Sequence, residues 1–296
     1  MLDLFLTIAC TTSIGVIVKL AETRTHERLT MLLFNYIVAA IVSFSVFLVP
    51  VLAGRPLSGQ ANLFALSVFA MILAPVAGFI FALNFFLMVV AIEKRGVALP
   101  VSLMRLSAIV PIAASMIFFG ESPGWLEAAG IVGVLAAAVL MSLSFRGGEQ
   151  IKHPGRESML MLVLMSLGLL FCFGLADLSM KLFERFGRLP EKPLFLAVLF
   201  AFAGITIGVG MIVRRVRIRW IDAGWGIILG VPNLFSSYFL VGALAVLASY
   251  IVFPMVTAVT VMLIALIGRF AFGEEIGKLG IIGIVLTLAS IIAVNV

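Results

Sequence analysis

Charge is scarce in this chain. Asp, Glu, Lys and Arg make up 11% of the 296 residues, while hydrophobic residues make up 63%. A soluble domain carries about 25% charged and roughly 45–50% apolar residues. The deficit excludes a water-soluble globular protein and points to an integral membrane protein. Cysteine is scarcer still. Cys10 and Cys172 both fall in apolar runs, so a disulfide framework is excluded and two buried, inert thiols are expected. The two histidines, His26 and His153, sit in hydrophilic stretches with no metal-ligand spacing around them, so no metal site is expected. No Walker motif or other phosphate-cradling glycine loop is present, which argues against ATP-driven work by this chain alone. Enzyme motifs and cofactor signatures are absent too. The formal net charge of +6 is spread over short loops and forms no stripe; it reads as a topology signal, not as nucleic-acid binding. A cleavable leader is not expected, because the first apolar run lacks a basic flank and no convincing small-x-small site follows it.

What the chain has instead is apolar length. A membrane span needs about 20 apolar residues. Ten such helices fit, at about 2–21, 30–50, 63–92, 97–118, 124–145, 158–181, 193–213, 223–246, 249–270 and 277–295. The third run is long and contains Pro75 and Gly78, so a tilt or kink would absorb its excess. The longest connections, 51–62 and 146–157, are polar tethers too short for a soluble domain.

Lys and Arg are unevenly placed. One side of the membrane receives Lys19, Arg24, Arg28, Lys94, Arg95, Arg146, Lys152, Arg156, Arg214, Arg215, Arg217, Arg219, Arg269 and Lys278. The other receives Arg55, Lys181, Arg185, Arg188 and Lys192. The richer side is expected in the cytoplasm, with both termini outside. The expected location is the bacterial cytoplasmic (inner) membrane.

The chain also repeats itself. Phe119-Gly120-Glu121 returns as Phe272-Gly273-Glu274, 153 residues later, and Gly130 falls on Gly283 at the same shift. Gly78 and Ala91 fall on Gly230 and Ala243 at a shift of 152, and Cys10 and Lys19 on Cys172 and Lys181 at 162. The expected fold is therefore all-α, with ten transmembrane helices in two copies: 1–147, a cytoplasmic linker at 148–157, and 158–296. Five spans per copy is an odd number, so the second copy enters the membrane in the opposite sense. The two would be inverted repeats.

The segment from Asn84 to Leu143 resembles the EamA-type domain of the drug/metabolite transporter superfamily. The carrying residues are Ala91, Pro111, Gly120-Glu121, Gly130 and Gly133, with Gly230, Gly273-Glu274 and Gly283 in the second copy. The second copy departs from the pattern, having Ile264 where Pro111 would fall. Asn35-Tyr36 and Arg105-Leu106-Ser107 are similar to the corresponding residues of some bacterial members. The resemblance implies ten helices around a central cavity, lined by spans one, three, four, six, eight and nine. It implies transport of small metabolites, amino acids, sugars and related solutes. Many members have cytoplasmic termini; the Lys and Arg distribution of this chain places them outside.

Arg105 is the leading candidate for chemistry. It lies about 12 Å into the fourth span at roughly 1.5 Å per residue. A charge at that depth costs at least about 2.5–3.5 kcal/mol, so it faces protein or water. It is read either as a fork for a carboxylate or phosphate or as a cation that ties helices together. Asp177 and Lys181 stand four apart on one face of the sixth span, as a coupling carboxylate with its modulator or as a local pair near the interface. Asp177 is read as the only acid clearly inside a span. Lys19 and Lys181 are either gate cations or ordinary helix-end lysines. Asn84, Ser107, Asn233, Ser237, Tyr238 and Thr12 are the polar side chains expected to meet substrate, although each hydroxyl can also bond its own helix. Pro111, Pro232 and Pro254 are read as hinges or static kinks, and Glu121 and Glu274 as caps of the fifth and tenth helices.

The expected function is secondary active transport of a small polar or amphipathic metabolite with an anionic group. Alternating access of the two repeats would carry it, with a proton, a cation or an exchanged solute as coupling partner. The alternative is a lipid-linked carrier or phospholipid-type flippase of the same fold. The partners expected are the small-molecule substrate and membrane lipids, with the chain a monomer or weak dimer. The glycine spacings do not match a standard dimer motif.

Overall fold

A computed structural model describes residues 1–22, 27–53, 67–95, 98–144, 159–273 and 277–295. The described residues are helical, with no strand among them. The helices are α1 (Leu2–Glu22), α2 (Arg28–Leu52), α3 (Val68–Arg95), α4 (Ala98–Leu106), α5 (Ile109–Phe119), α6 (Trp125–Ser144), α7 (Met159–Phe186), α8 (Lys192–Val213), α9 (Trp220–Leu244), α10 (Ser249–Phe272) and α11 (Lys278–Asn295). A short 3-10 turn, Leu189–Glu191, leads into α8. Eight segments are long and apolar enough to cross a membrane, and α6 and α11 carry shorter apolar stretches.

The exposed surface is unlike that of a water-soluble protein. Phe5, Ile72, Phe118, Ile212 and Phe270 are exposed, while Thr7, Asn35, Ser43, Asn84 and Thr260 are buried. Large apolar side chains outside and small polar ones inside suit a chain solvated by lipid. The helices thus form a membrane-spanning type of protein.

The chain forms two compact units. One comprises Met1–Ala82 and Ser179–Val246; the other comprises Leu83–Leu178 and Leu247–Val296. Of the three boundaries, two fall inside long helices, α3 and α7, and the third lies between α9 and α10. Each unit therefore draws on both halves of the sequence.

In the first unit α9 packs against α1 and α2, and α2 packs against α8. Missing side chains permit the close approaches. A methyl group on Gly226 would run into the Met31 carbonyl, and one on Gly230 into Val38 and the Asn35 carbonyl. A methyl group on Gly78 would strike the Leu199 carbonyl and Phe202. Gly78 and Gly230 are the glycines matched by the sequence repeat, and both seat a helix against a neighbour's backbone. The Tyr36 ring is fully buried, stacks on Phe200 at 6.0 Å, and donates its hydroxyl to the Phe81 carbonyl at 3.3 Å. Two carboxylates close helix starts. Asp222 accepts the Glu27 N–H at 3.0 Å, and Glu191 accepts the Ser67 N–H at 3.0 Å. Free N–H groups at a helix start attract such acceptors.

In the second unit α6 packs along α11. Gly133 lies against the Ser290 hydroxyl, and Gly283 against Met141 and the Ala137 carbonyl. The repeated Phe-Gly-Glu turn has one geometry twice. Gly120 and Gly273 have φ of 72° and 69° and end α5 and α10 as left-handed caps, donating to the Ser115 and Gly268 carbonyls. Glycine adopts this conformation without steric cost.

Three expectations change. Glu121 does not cap the fifth predicted helix. Its carboxylate reaches Ser249 at the start of α10, while Glu127 bonds the Gly124 N–H ahead of α6 at 2.6 Å. Glu121 in the loop 120–124 thus serves another helix's free N–H groups. Glu274 and the linker 148–157 lie outside the described residues. The fourth predicted helix is broken in two at Ser107-Ala108. The sixth runs to Phe186, beyond its expected end at 181, and so gains Glu184. Asp177 is therefore not the only acid within an apolar span.

Candidate substrate and coupling site

The break between α4 and α5 begins with Pro111. Proline has no N–H, so it cannot donate to the carbonyl of Ser107 four residues earlier. That carbonyl accepts the Val110 N–H at 2.9 Å instead, a tighter 3-10 type closure. The Ser107 hydroxyl bends back to the Met104 carbonyl at 2.6 Å. The helix stops here, and its last turn contains Arg105. A helix C-terminus carries partial negative charge, which favours a cation. At the matching repeat position 264 the chain has isoleucine, and α10 continues unbroken to Phe272.

Helix α7 approaches the break closely. Gly174 faces it, and a methyl group there would lie 2.9 Å from the Ser107 carbonyl and in contact with Val110. Three residues on, along the same helical face, stands Asp177. It lies within electrostatic reach of Arg105. Both side chains are half-buried. Their charges interact without a direct ion pair, and the Arg105 Nε is buried with no hydrogen-bond partner among the described residues. The arrangement thus retains a guanidinium whose donors are not consumed by its own counter-charge.

Asn84 belongs to the same unit. It is 3% exposed, and its Oδ1 has no hydrogen-bond partner among the described residues. Ser107 is buried with its hydroxyl committed to the backbone.

The remaining candidates lie in the first unit. Thr12 is buried, and its hydroxyl has no partner among the described residues, while its neighbour Thr11 bonds Ser236 at 3.1 Å. Ser237 is buried, Asn233 is half-buried, and the Tyr238 ring lies 3.6 Å beneath the Lys192 ammonium. Lys181 is 2.9 Å from Glu184, an i,i+3 pair made possible by the longer α7. Lys19 sits half-buried in the last turn of α1. Arg105 and Asp177 thus come within electrostatic reach of each other where α7 approaches the α4–α5 break, a relationship the sequence reading did not make.

Sequence reasoning passed over Asp3, Glu184, Glu191, Lys192 and Asp222. Each lies within a few residues of an apolar run's end, where charges are ordinarily interfacial. The usable signal was their position inside a window still apolar enough to span.

The described residues contain no group of three or more His, Cys, Asp or Glu side chains arranged to hold a metal ion. No protein-family model matches the chain. The chain is 27% identical over 296 residues to an uncharacterized protein of Haemophilus influenzae, covering 98% of this chain and 96% of that one. A solved crystal structure superposes with a TM-score of 0.75 at 13% identity, over 99% of this chain and 94% of that chain. At that identity the likeness shows the fold alone.

Proposed function

We propose that the protein is a secondary active transporter of the drug/metabolite transporter type. In this reading it moves a small polar or amphipathic metabolite bearing an anionic group across the cytoplasmic membrane. The observation that carries the proposal is the Arg105–Asp177 relationship: a half-buried, incompletely satisfied guanidinium at a helix break, with a carboxylate in reach but not in contact.

The mechanism follows from charge balance. In the empty site Arg105 and Asp177 neutralise each other at a distance. A substrate carboxylate or phosphate takes the guanidinium fork. The substrate then replaces Asp177 as counter-charge, and Asp177 is left favouring its protonated form. Empty and loaded sites thus both carry little net charge, which lowers the cost of either crossing the membrane. Proton and anion would move together.

The inverted ten-helix arrangement belongs to this proposal. Its support is the pair of left-handed caps at Gly120 and Gly273 and the matched approaches of Gly78 and Gly230. In that frame the two repeats rock to give alternating access, with the broken α4–α5 segment as the asymmetric element.

Uptake of candidate organic anions into proteoliposomes tests the reading. Arg105→Ala should abolish it. Asp177→Asn should keep exchange of labelled for unlabelled solute while losing accumulation driven by a pH gradient. Full transport by Arg105→Ala would remove the assigned role. Movement of labelled phospholipid in place of soluble anions would favour a flippase.

A further inference from the structure

A second charged cluster lies in the first compact unit. Lys192 is the first residue of α8, and its ammonium rests 3.6 Å above the centre of the Tyr238 ring. Asp3, in the first turn of α1, is within electrostatic reach of both Lys192 and Tyr238. Gly242 makes room for Asp3: any side chain there would strike its carboxylate. Phe235 and Phe239 flank Tyr238, with ring centres 6.3 and 5.7 Å from it.

The cation is not satisfied by this company. Among the described residues its ammonium makes no hydrogen bond and no direct ion pair, although Asp3 is near. The ring holds the charge through its quadrupole but takes none of the three N–H donors as a lone pair would. The neighbouring acid, Glu191, is already spent on the Ser67 N–H and on Arg188, 3.6 Å away. Lys192 also stands at the positive end of α8, where the helix dipole repels a cation. Lys192 therefore keeps N–H donors that Asp3 does not take, and an aromatic wall stands beside it.

We propose that Lys192, Tyr238 and Asp3 form a binding site for an organic carboxylate with an apolar body. The carboxylate takes the Lys192 donors, the body lies on the aromatic cluster of α9, and Asp3 is the resident competitor. The site requires neither Arg105 nor transport, so it stands or falls separately from the proposed function.

The test is calorimetric titration of benzoate into the full chain in neutral-lipid nanodiscs, in an Arg105→Ala background so that only this cation is read. Lys192→Gln should weaken binding at least tenfold, and Lys192→Arg should retain it. Asp3→Asn should tighten binding several-fold, because the competitor is neutralised. If Lys192→Gln and Asp3→Asn weaken binding alike, or if neither changes it, the proposal is overturned. Repeating the titration in phosphatidylglycerol nanodiscs separates sources. Benzoate binding that persists supports a soluble ligand, and binding lost to the anionic lipid overturns one.

Discussion

Glu121 reaches out of its own loop to close the start of a distant helix: it accepts the Ser249 N–H at 2.8 Å and the Ser249 hydroxyl at 3.1 Å. The N–H would otherwise be one of the free donors at the start of α10. Glu121→Ala should destabilise the protein by about 1.5–3 kcal/mol, the range for a bond to a charged group. Ser249→Ala keeps the backbone bond and should cost only about 0.5–1.5 kcal/mol. Unfolding in detergent micelles compares them. Equal losses would mean that the hydroxyl, not the N–H, carries the cap.

Close helix approaches in the first unit depend on glycine at particular positions of α9. Gly226→Ala and Gly230→Ala should each destabilise by about 1–3 kcal/mol, because the added methyl meets a backbone carbonyl. Gly224 lies on the same helix with nothing within 4 Å of its would-be methyl. Gly224→Ala should therefore be neutral or stabilising by up to about 1 kcal/mol. Thermal unfolding of the three variants would show whether space or helix propensity governs α9.

Pro111 sets the break that ends α4. Pro111→Ala restores an N–H opposite the Ser107 carbonyl, and stability should rise by up to about 3 kcal/mol. Under the transport proposal the same change removes the helix end that holds Arg105, so uptake should fall at least tenfold. A more stable protein with undiminished uptake would dissociate the break from function.

Arg105→Lys keeps the charge but loses the planar two-pronged fork. If Arg105 binds an anion, KM for that anion should rise roughly tenfold with kcat little changed. A purely structural cation would instead show lower stability with KM intact. Uptake kinetics and unfolding measured on one preparation distinguish these outcomes.

The spans were legible because apolar length is read directly from the chain. Nine of the helix starts lie within a few residues of those expected, and α3 begins at Val68 rather than near 63. The repeated Phe-Gly-Glu turn was legible too, since only glycine fits the left-handed cap comfortably. Arg105 stood out as a lone charge in an apolar run. Its partnership with Asp177 was not legible. That relationship follows from the close approach of Gly174 to Ser107, and no local pattern encodes which helix a glycine will face. Lys181 is read beside Asp177 because the two stand four apart on one helical face. The helix continues, and Glu184 comes within 2.9 Å. Asp3, Lys192 and Tyr238 come from three separate helices, so only packing reveals them as a cluster.

The sequence by itself determined that this chain is helical, that its helices suit a membrane, and where most of them begin and end. These properties depend on hydrophobicity and backbone chemistry, which act over neighbouring residues. The tertiary structure decided which charges meet. Arg105 faces Asp177, Glu121 caps α10 and Lys192 lies over Tyr238 because helices approach wherever small residues permit. Those approaches join residues far apart in the chain.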